Sequence, residues 1–221
     1  MNEQKTRWQK PLVLSLLYWA MFAALAVYTL IFTDQTIDNA GISLAKSLHS
    51  EWLTAIMQAA SFVGEEIVMV PVGLLIVIIG LYYRQRAEVL LFVAAMAGGQ
   101  LIKDVLKELV ARPRPAGYSL VELPTSYSFP SGHAMLSCVF FGIICYLAYR
   151  FLPKSPGRRL LAFASALSAF AISFSRIYLG VHYATDVLAG ISIGLAWVYL
   201  LAFVYERWID RNLQKRPTVK M

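Results

Sequence analysis

The chain has 221 residues, of which 58% are hydrophobic and only 15% charged, and its mean hydropathy is +0.59. That length fits one domain over 1–221, and that composition belongs to membrane proteins rather than to water-soluble domains. The net charge of +7 does not indicate a nucleic-acid partner, because the basic residues are divided among short segments instead of being gathered on one face.

Residues 11–33 carry no charged side chain. Such a run is long enough to cross a hydrocarbon core of ~30 Å. Lys5, Arg7 and Lys10 precede it, as in a signal peptide. The apolar run is too long for that role and no small-residue cleavage site follows, so it reads as a retained first anchor.

Residues 34–64 follow as an external segment. Leu44, Leu48, Trp52, Ala55, Ile56 and Ala59 recur at helical spacing, with Ser43, Lys46, Ser50 and Glu51 between them. This pattern predicts one or two amphipathic helices on the outer surface. Glu65 and Glu66 end the segment.

Further apolar runs cover 67–83, 89–102, 134–149, 160–175 and 187–205. The middle three fall short of the ~20 residues that a span needs. Each continues through charged or histidine residues toward one membrane face: Lys103 and Lys107, then His133, then Arg176. The expected fold is therefore all-α, a polytopic membrane protein with six transmembrane helices over about 11–33, 67–83, 87–109, 133–151, 159–178 and 184–205. Gly98-Gly99 and Gly190-x3-Gly194 invite close helix approach. Cys138 and Cys145 lie two turns apart on one predicted helix, too far for a disulfide, and read as packing residues. Residues 206–221 read as a charged tail that frays.

Six spans put both termini on one side. Lys5, Arg7, Lys10, Arg84, Arg86, Arg150, Lys154, Arg158, Arg159, Arg207, Arg211, Lys215, Arg216 and Lys220 fall there, 14 of the 20 basic residues. Lysine and arginine favour the cytoplasmic side. The expected orientation in the plasma membrane has cytoplasmic termini and Lys107, Arg112, Arg114 and Arg176 near the opposite face.

That opposite face collects Lys107-x6-Arg114-Pro115, Pro130-Ser131-Gly132-His133 and Ser175-Arg176-x5-His182-x3-Asp186. A phosphate monoester carries roughly −1.5 to −2 charges. Arginine offers it a planar fork of donors and lysine a point charge. Ser131 and Gly132 open a helix, where free N–H groups and a side-chain hydroxyl suit an anion. His182 and Asp186 stand at i and i+4, so the carboxylate can hold one imidazole nitrogen and leave the other as a nucleophile. Alone, that pair would equally fit a buried structural contact or two metal ligands. Arg112 reads as a headgroup or loop contact, Asp104 and Glu108 as partners for Lys103, Lys107 or Arg112, and Tyr118 and Glu122 as headgroup contacts.

Together these three motifs resemble the signatures of the type 2 phosphatidic acid phosphatase family, which also includes soluble acid phosphatases and vanadium haloperoxidases. They match in order within residues 107–186, and the six-span layout is similar to the integral-membrane branch, most like bacterial phosphatidylglycerophosphatase B. The resemblance implies that His182 forms a phosphohistidine, Asp186 orients it and His133 protonates the leaving group. It implies that Lys107, Arg114, Ser131, Gly132 and Arg176 bind the substrate phosphate. No metal and no cofactor is required. The implied partner is a phospholipid or polyprenyl phosphate in the membrane, with phosphatidylglycerophosphate the expected substrate and undecaprenyl diphosphate or phosphatidic acid the alternatives. The oligomeric state is open, with a monomer expected. A transporter would place its charges near mid-bilayer between repeats, unlike this pattern.

Overall fold

The computed structural model describes the backbone of residues 2–31 and 36–214 and the side chains of 9–31 and 36–209. The predicted end of the first span at 33, and the last seven residues of the predicted tail, lie outside the described residues. The fold is all-helical: α1 (Asn2–Ile31), α2 (Thr36–Ser47), α3 (Glu51–Val63), α4 (Glu66–Tyr82), α5 (Arg86–Val110), α6 (Gly132–Phe151), α7 (Pro156–Tyr178) and α8 (Ala184–Gln214).

Among the described residues, five helices are long and apolar enough to cross a membrane: α1, α5, α6, α7 and α8. The helices α5, α6 and α7 have 25, 20 and 23 residues, because each continues past its uncharged run into the charged residues at its end. The predicted second span differs. At 17 residues α4 is short, and it reaches spanning length only together with α3, across a 47° bend at Gly64-Glu65. The second half of the expected external segment, α3, therefore runs into α4 as one bent pair. On α2 and α3 the apolar stripe Leu44, Leu48, Trp52 and Ile56 is exposed, and Ala45, Met57 and Ser61 face the protein. In a bilayer an apolar side chain gains nothing by facing another helix rather than lipid tails, so hydrophobic periodicity does not mark the protein-facing side.

The bundle is organised around α8, which packs on α1, α6, α5 and the external α2, with α7 behind α6 and α3 leaning on α7. Its interior cluster joins Met69, Leu91, Phe92, Val139, Phe140, Ile143 and Val198. Small residues allow the helices to approach. A Cβ on Gly98 would lie 2.4 Å from Trp197, and one on Gly190 would lie 2.6 Å from the Ser131 carbonyl oxygen, so these glycines serve packing within the bundle. Cys138 and Cys145 are free. At the C-terminal end of α7, the buried Tyr178 hydroxyl accepts from Ser50 N (3.2 Å) and contacts Thr54 Oγ1 at 2.9 Å, which fixes α3 to α7.

Candidate active site

The start of α8 is built by two carboxylates. A helix leaves its first N–H groups without partners. Asp186, in the first turn, reaches back to accept from Tyr183 N at 2.9 Å, in the manner of a capping box. Asp38 comes from α2 and accepts from Thr185 N (2.9 Å) and Thr185 Oγ1 (2.8 Å). Arg112 bridges the two acids, with Nη2 2.6 Å from Asp38 Oδ2 and Nη1 2.5 Å from Asp186 Oδ1. Its guanidinium also lies 4.0 Å from the centre of the Tyr183 ring. Burial opposes the charge on Arg112, but Asp186 and Asp38 outweigh it and raise its pKa. Arg112 is thus a buried clamp, not the headgroup or loop contact expected from sequence.

His182 stands two residues before α8, so it and Asp186 do not share a helix face. They meet because the carboxylate turns back over the helix start, leaving His182 Nδ1 3.6 Å from Asp186 Oδ2. Ser128 completes this corner. Its hydroxyl donates to Asp186 Oδ2 at 2.5 Å and lies 3.3 Å from His182 Nδ1. On the ring's far side Arg114 Nη1 lies 3.2 Å from Nε2. A guanidinium can only donate, so Nε2 presents its lone pair and Nδ1 carries the hydrogen. Burial lowers the His182 pKa to about 4, although Asp186 pulls the other way. The ring is neutral at neutral pH, with its free nitrogen facing the cations.

Those cations line one cleft of about 320 Å³ with Gly64, Glu65, Lys103, Ser126, Gly132, His133 and His182. Lys107 donates to the Tyr127 carbonyl and to Ser126 Oγ at 3.3 Å. Arg114 is braced by Val181 O and Ser126 O, both at 2.8 Å, and burial lowers its pKa. Arg176 donates to Ser61 Oγ, while its Nε–H is buried without a partner. Ser131 Oγ is also buried and unpartnered. The Ser131 N–H, in contrast, is used by the Asp186 carbonyl oxygen at 3.0 Å, so the helix start offers a phosphate fewer amides than its position suggests. His133, in the first turn of α6, has Nε2 3.2 Å from Glu65 Oε1. Among the described residues no group of three His, Cys, Asp or Glu side chains is placed to hold a metal ion.

All eight motif residues therefore gather at one end of the bundle, Asp186 and Ser131 buried beneath the cleft and the other six lining it. The remaining expectations fare differently. Lys103 pairs with Asp104 at 3.2 Å and Glu66 at 3.8 Å, while Arg112 takes Asp38 and Asp186 instead of Asp104 or Glu108. Tyr118 and Glu122 do not line the cleft; Pro124 and Ser126 of the same loop do. That loop is fixed by Leu120 N donating to Leu179 O (3.0 Å) and by Gly180, at φ 73°, where a Cβ would meet the Tyr118 carbonyl at 2.2 Å. Sequence reasoning missed Asp38, Ser128 and Thr185. One signal was available: Asp38 is an acid in a segment otherwise able to lie against apolar surface.

The family model described as PAP2 superfamily matches residues 88–210, which span every residue of the cleft supplied by α5 to α8. The chain belongs to the PAP2 superfamily. It is 33% identical over 210 residues to phosphatidylglycerophosphatase B of Bacillus subtilis (strain 168), covering 93% of this chain and 99% of that protein. It is 28% identical over 200 residues to an undecaprenyl-diphosphatase of Sulfolobus acidocaldarius, covering 86% and 91%. The crystal structure of a transmembrane PAP2 type phosphatidylglycerolphosphate phosphatase from Bacillus subtilis superposes with a TM-score of 0.79 at 28% identity, over 92% of this chain and 98% of that one. The protein is thus a multi-pass membrane lipid phosphatase of the PAP2 superfamily.

Proposed function

We propose that the protein hydrolyses the terminal phosphate of phosphatidylglycerophosphate to give phosphatidylglycerol, through a phosphohistidine on His182. The observation that carries the chemistry is the placing of His182 at the cleft with Nε2 3.2 Å from Arg114 Nη1 and Nδ1 facing Asp186 and Ser128. Lys107, Arg114 and Arg176 hold the non-bridging oxygens with the Ser131 hydroxyl and the Gly132 backbone, and stabilise charge on the transferring phosphoryl group. Nε2 forms the N–P bond, the P–O bond to the lipid breaks, and His133 gives its proton to the leaving oxygen. A water then attacks phosphorus, its proton passes to His133, and the N–P bond breaks to release phosphate. Asp186 and Ser128 keep the hydrogen on Nδ1 throughout.

An apolar groove of about 420 Å³ between α4, α5 and α6 shares Gly64, Glu66 and Leu136 with the cleft. It suits a lipid whose tails stay among the helices while its phosphate reaches His182. The choice of glycerolipid rests on the likeness to phosphatidylglycerophosphatase B over almost the whole of both chains. A second reading, undecaprenyl diphosphate as substrate, rests on the likeness to the archaeal undecaprenyl-diphosphatase. Phosphate release by the purified protein from phosphatidylglycerophosphate, undecaprenyl diphosphate and phosphatidic acid tests the assignment. The highest kcat/KM is expected for phosphatidylglycerophosphate, and a preference for either of the others overturns it.

A further inference from the structure

Glu65 sits at the bend between α3 and α4 and lines the cleft. It occupies the N-cap position of α4, yet its side chain makes no capping bond to that helix. Its Oε1 instead lies 3.2 Å from His133 Nε2. The backbone is fitted to this contact. A Cβ on the preceding Gly64 would come within 2.9 Å of His133 Cδ2 and 2.6 Å of Ile172 Cγ2, so only glycine lets the chain pass this close to the ring. Glu66, the next residue, turns away to Lys103 at 3.8 Å. Arg176 lines the same cleft, so a carboxylate at Glu65 also faces a fixed cation.

We infer that Glu65 is a positioning residue for His133, forming a second histidine–carboxylate pair that mirrors His182–Asp186 on the leaving-group side. A carboxylate accepting from one imidazole nitrogen fixes the ring's orientation and the identity of the other nitrogen. Here Glu65 holds Nε2–H, and Nδ1 is the nitrogen that faces the substrate. Nδ1 gives its proton to the lipid oxygen as the P–O bond breaks, and takes one from water in the second step. Glu65 neither gains nor loses a proton in this cycle. Without the carboxylate the ring is free to turn, and both transfers slow.

The inference rests on the reading of His133 as leaving-group acid, and the test separates the two. Glu65→Gln, His133→Ala and the double variant are compared on dioctanoyl phosphatidic acid, whose alkoxide needs a proton, and on p-nitrophenyl phosphate, whose leaving group does not. Glu65→Gln is expected to lower kcat/KM, which reads the P–O cleavage step and not the later hydrolysis common to both substrates, on the lipid by ~10–100-fold, within the usual worth of acid–base catalysis, and on the aryl ester by less than ~3-fold. The double variant is expected to be no slower on the lipid than His133→Ala alone. Glu65→Asp, which keeps the carboxylate, is expected to recover part of the lipid activity. Since Glu65 is partly exposed, its substitution leaves the fold intact, and aryl turnover reports this directly. Equal losses on both substrates, no loss, or multiplied losses in the double variant overturn the role of Glu65 while leaving His133 as the acid. If His133→Ala itself slows both substrates equally, the acid assignment fails and this inference fails with it.

Discussion

Arg112 Nη1 lies 2.5 Å from Asp186 Oδ1, and through its other nitrogen the same guanidinium holds Asp38 of the external helix α2. The carboxylate that faces His182 is therefore anchored to an element more than 140 residues away in the chain. Only a planar fork can hold both acids at once.

Arg112→Lys is expected to keep the fold and to lower kcat on p-nitrophenyl phosphate by ~10²-fold with KM little changed, since the lysine cannot hold both carboxylates. Arg112→Ala leaves Asp38 and Asp186 buried without their cation, a loss of ~3–5 kcal/mol that should appear as a large fall in melting temperature. Wild-type kcat in Arg112→Lys would show that Asp186 does not depend on this clamp.

His182→Ala is expected to abolish turnover, and Asp186→Asn to leave a small residual activity. After reaction with a 32P-labelled lipid phosphate, acid-labile label should be trapped on the wild-type chain and absent from His182→Ala. Label that persists in His182→Ala would place the nucleophile elsewhere.

With the neutral His182 ring as the proposed nucleophile, protonation of His182 is expected to remove activity. Its pKa lies near 4 instead of the ordinary 6.5, which moves the acid limb down. For p-nitrophenyl phosphate, kcat is expected to stay level as pH falls through 6 and to drop only near 4. An acid limb centred near 6.5 would mean that His182 is not held in the buried environment described.

The charge distribution predicts a cleft on the extracytoplasmic side, which would give the enzyme access to lipids in the outer leaflet. Glu122, exposed in the loop between α5 and α6, and Lys154, exposed between α6 and α7, sit at opposite ends of the bundle. Ser155 is avoided because its hydroxyl caps α7 by accepting from Arg158 N at 3.2 Å. In a background of Cys138→Ala and Cys145→Ala, an impermeant thiol reagent added to intact cells should label Glu122→Cys and spare Lys154→Cys. The reverse pattern would invert the topology.

The sequence by itself determined the membrane class, the helical architecture and the residues that converge. Apolar runs can persist in lipid only as helices, whose backbone groups are satisfied internally. Charges confined to one end of several runs must then meet at one face. Lys107, Arg114, His133, Arg176 and His182 could be paired before any fold was known, because each lies within a few residues of a predicted helix end. Tertiary structure alone decided what surrounds them. Asp38, Ser128 and Glu65 reach the site across separations of 54 to 147 residues, which no local spacing encodes. It also decided that residues 51–63 form a helix joined to α4 across a 47° bend. In a bilayer both faces of a helix are apolar, so which face meets protein depends on close packing and buried polar contacts rather than on hydrophobic periodicity.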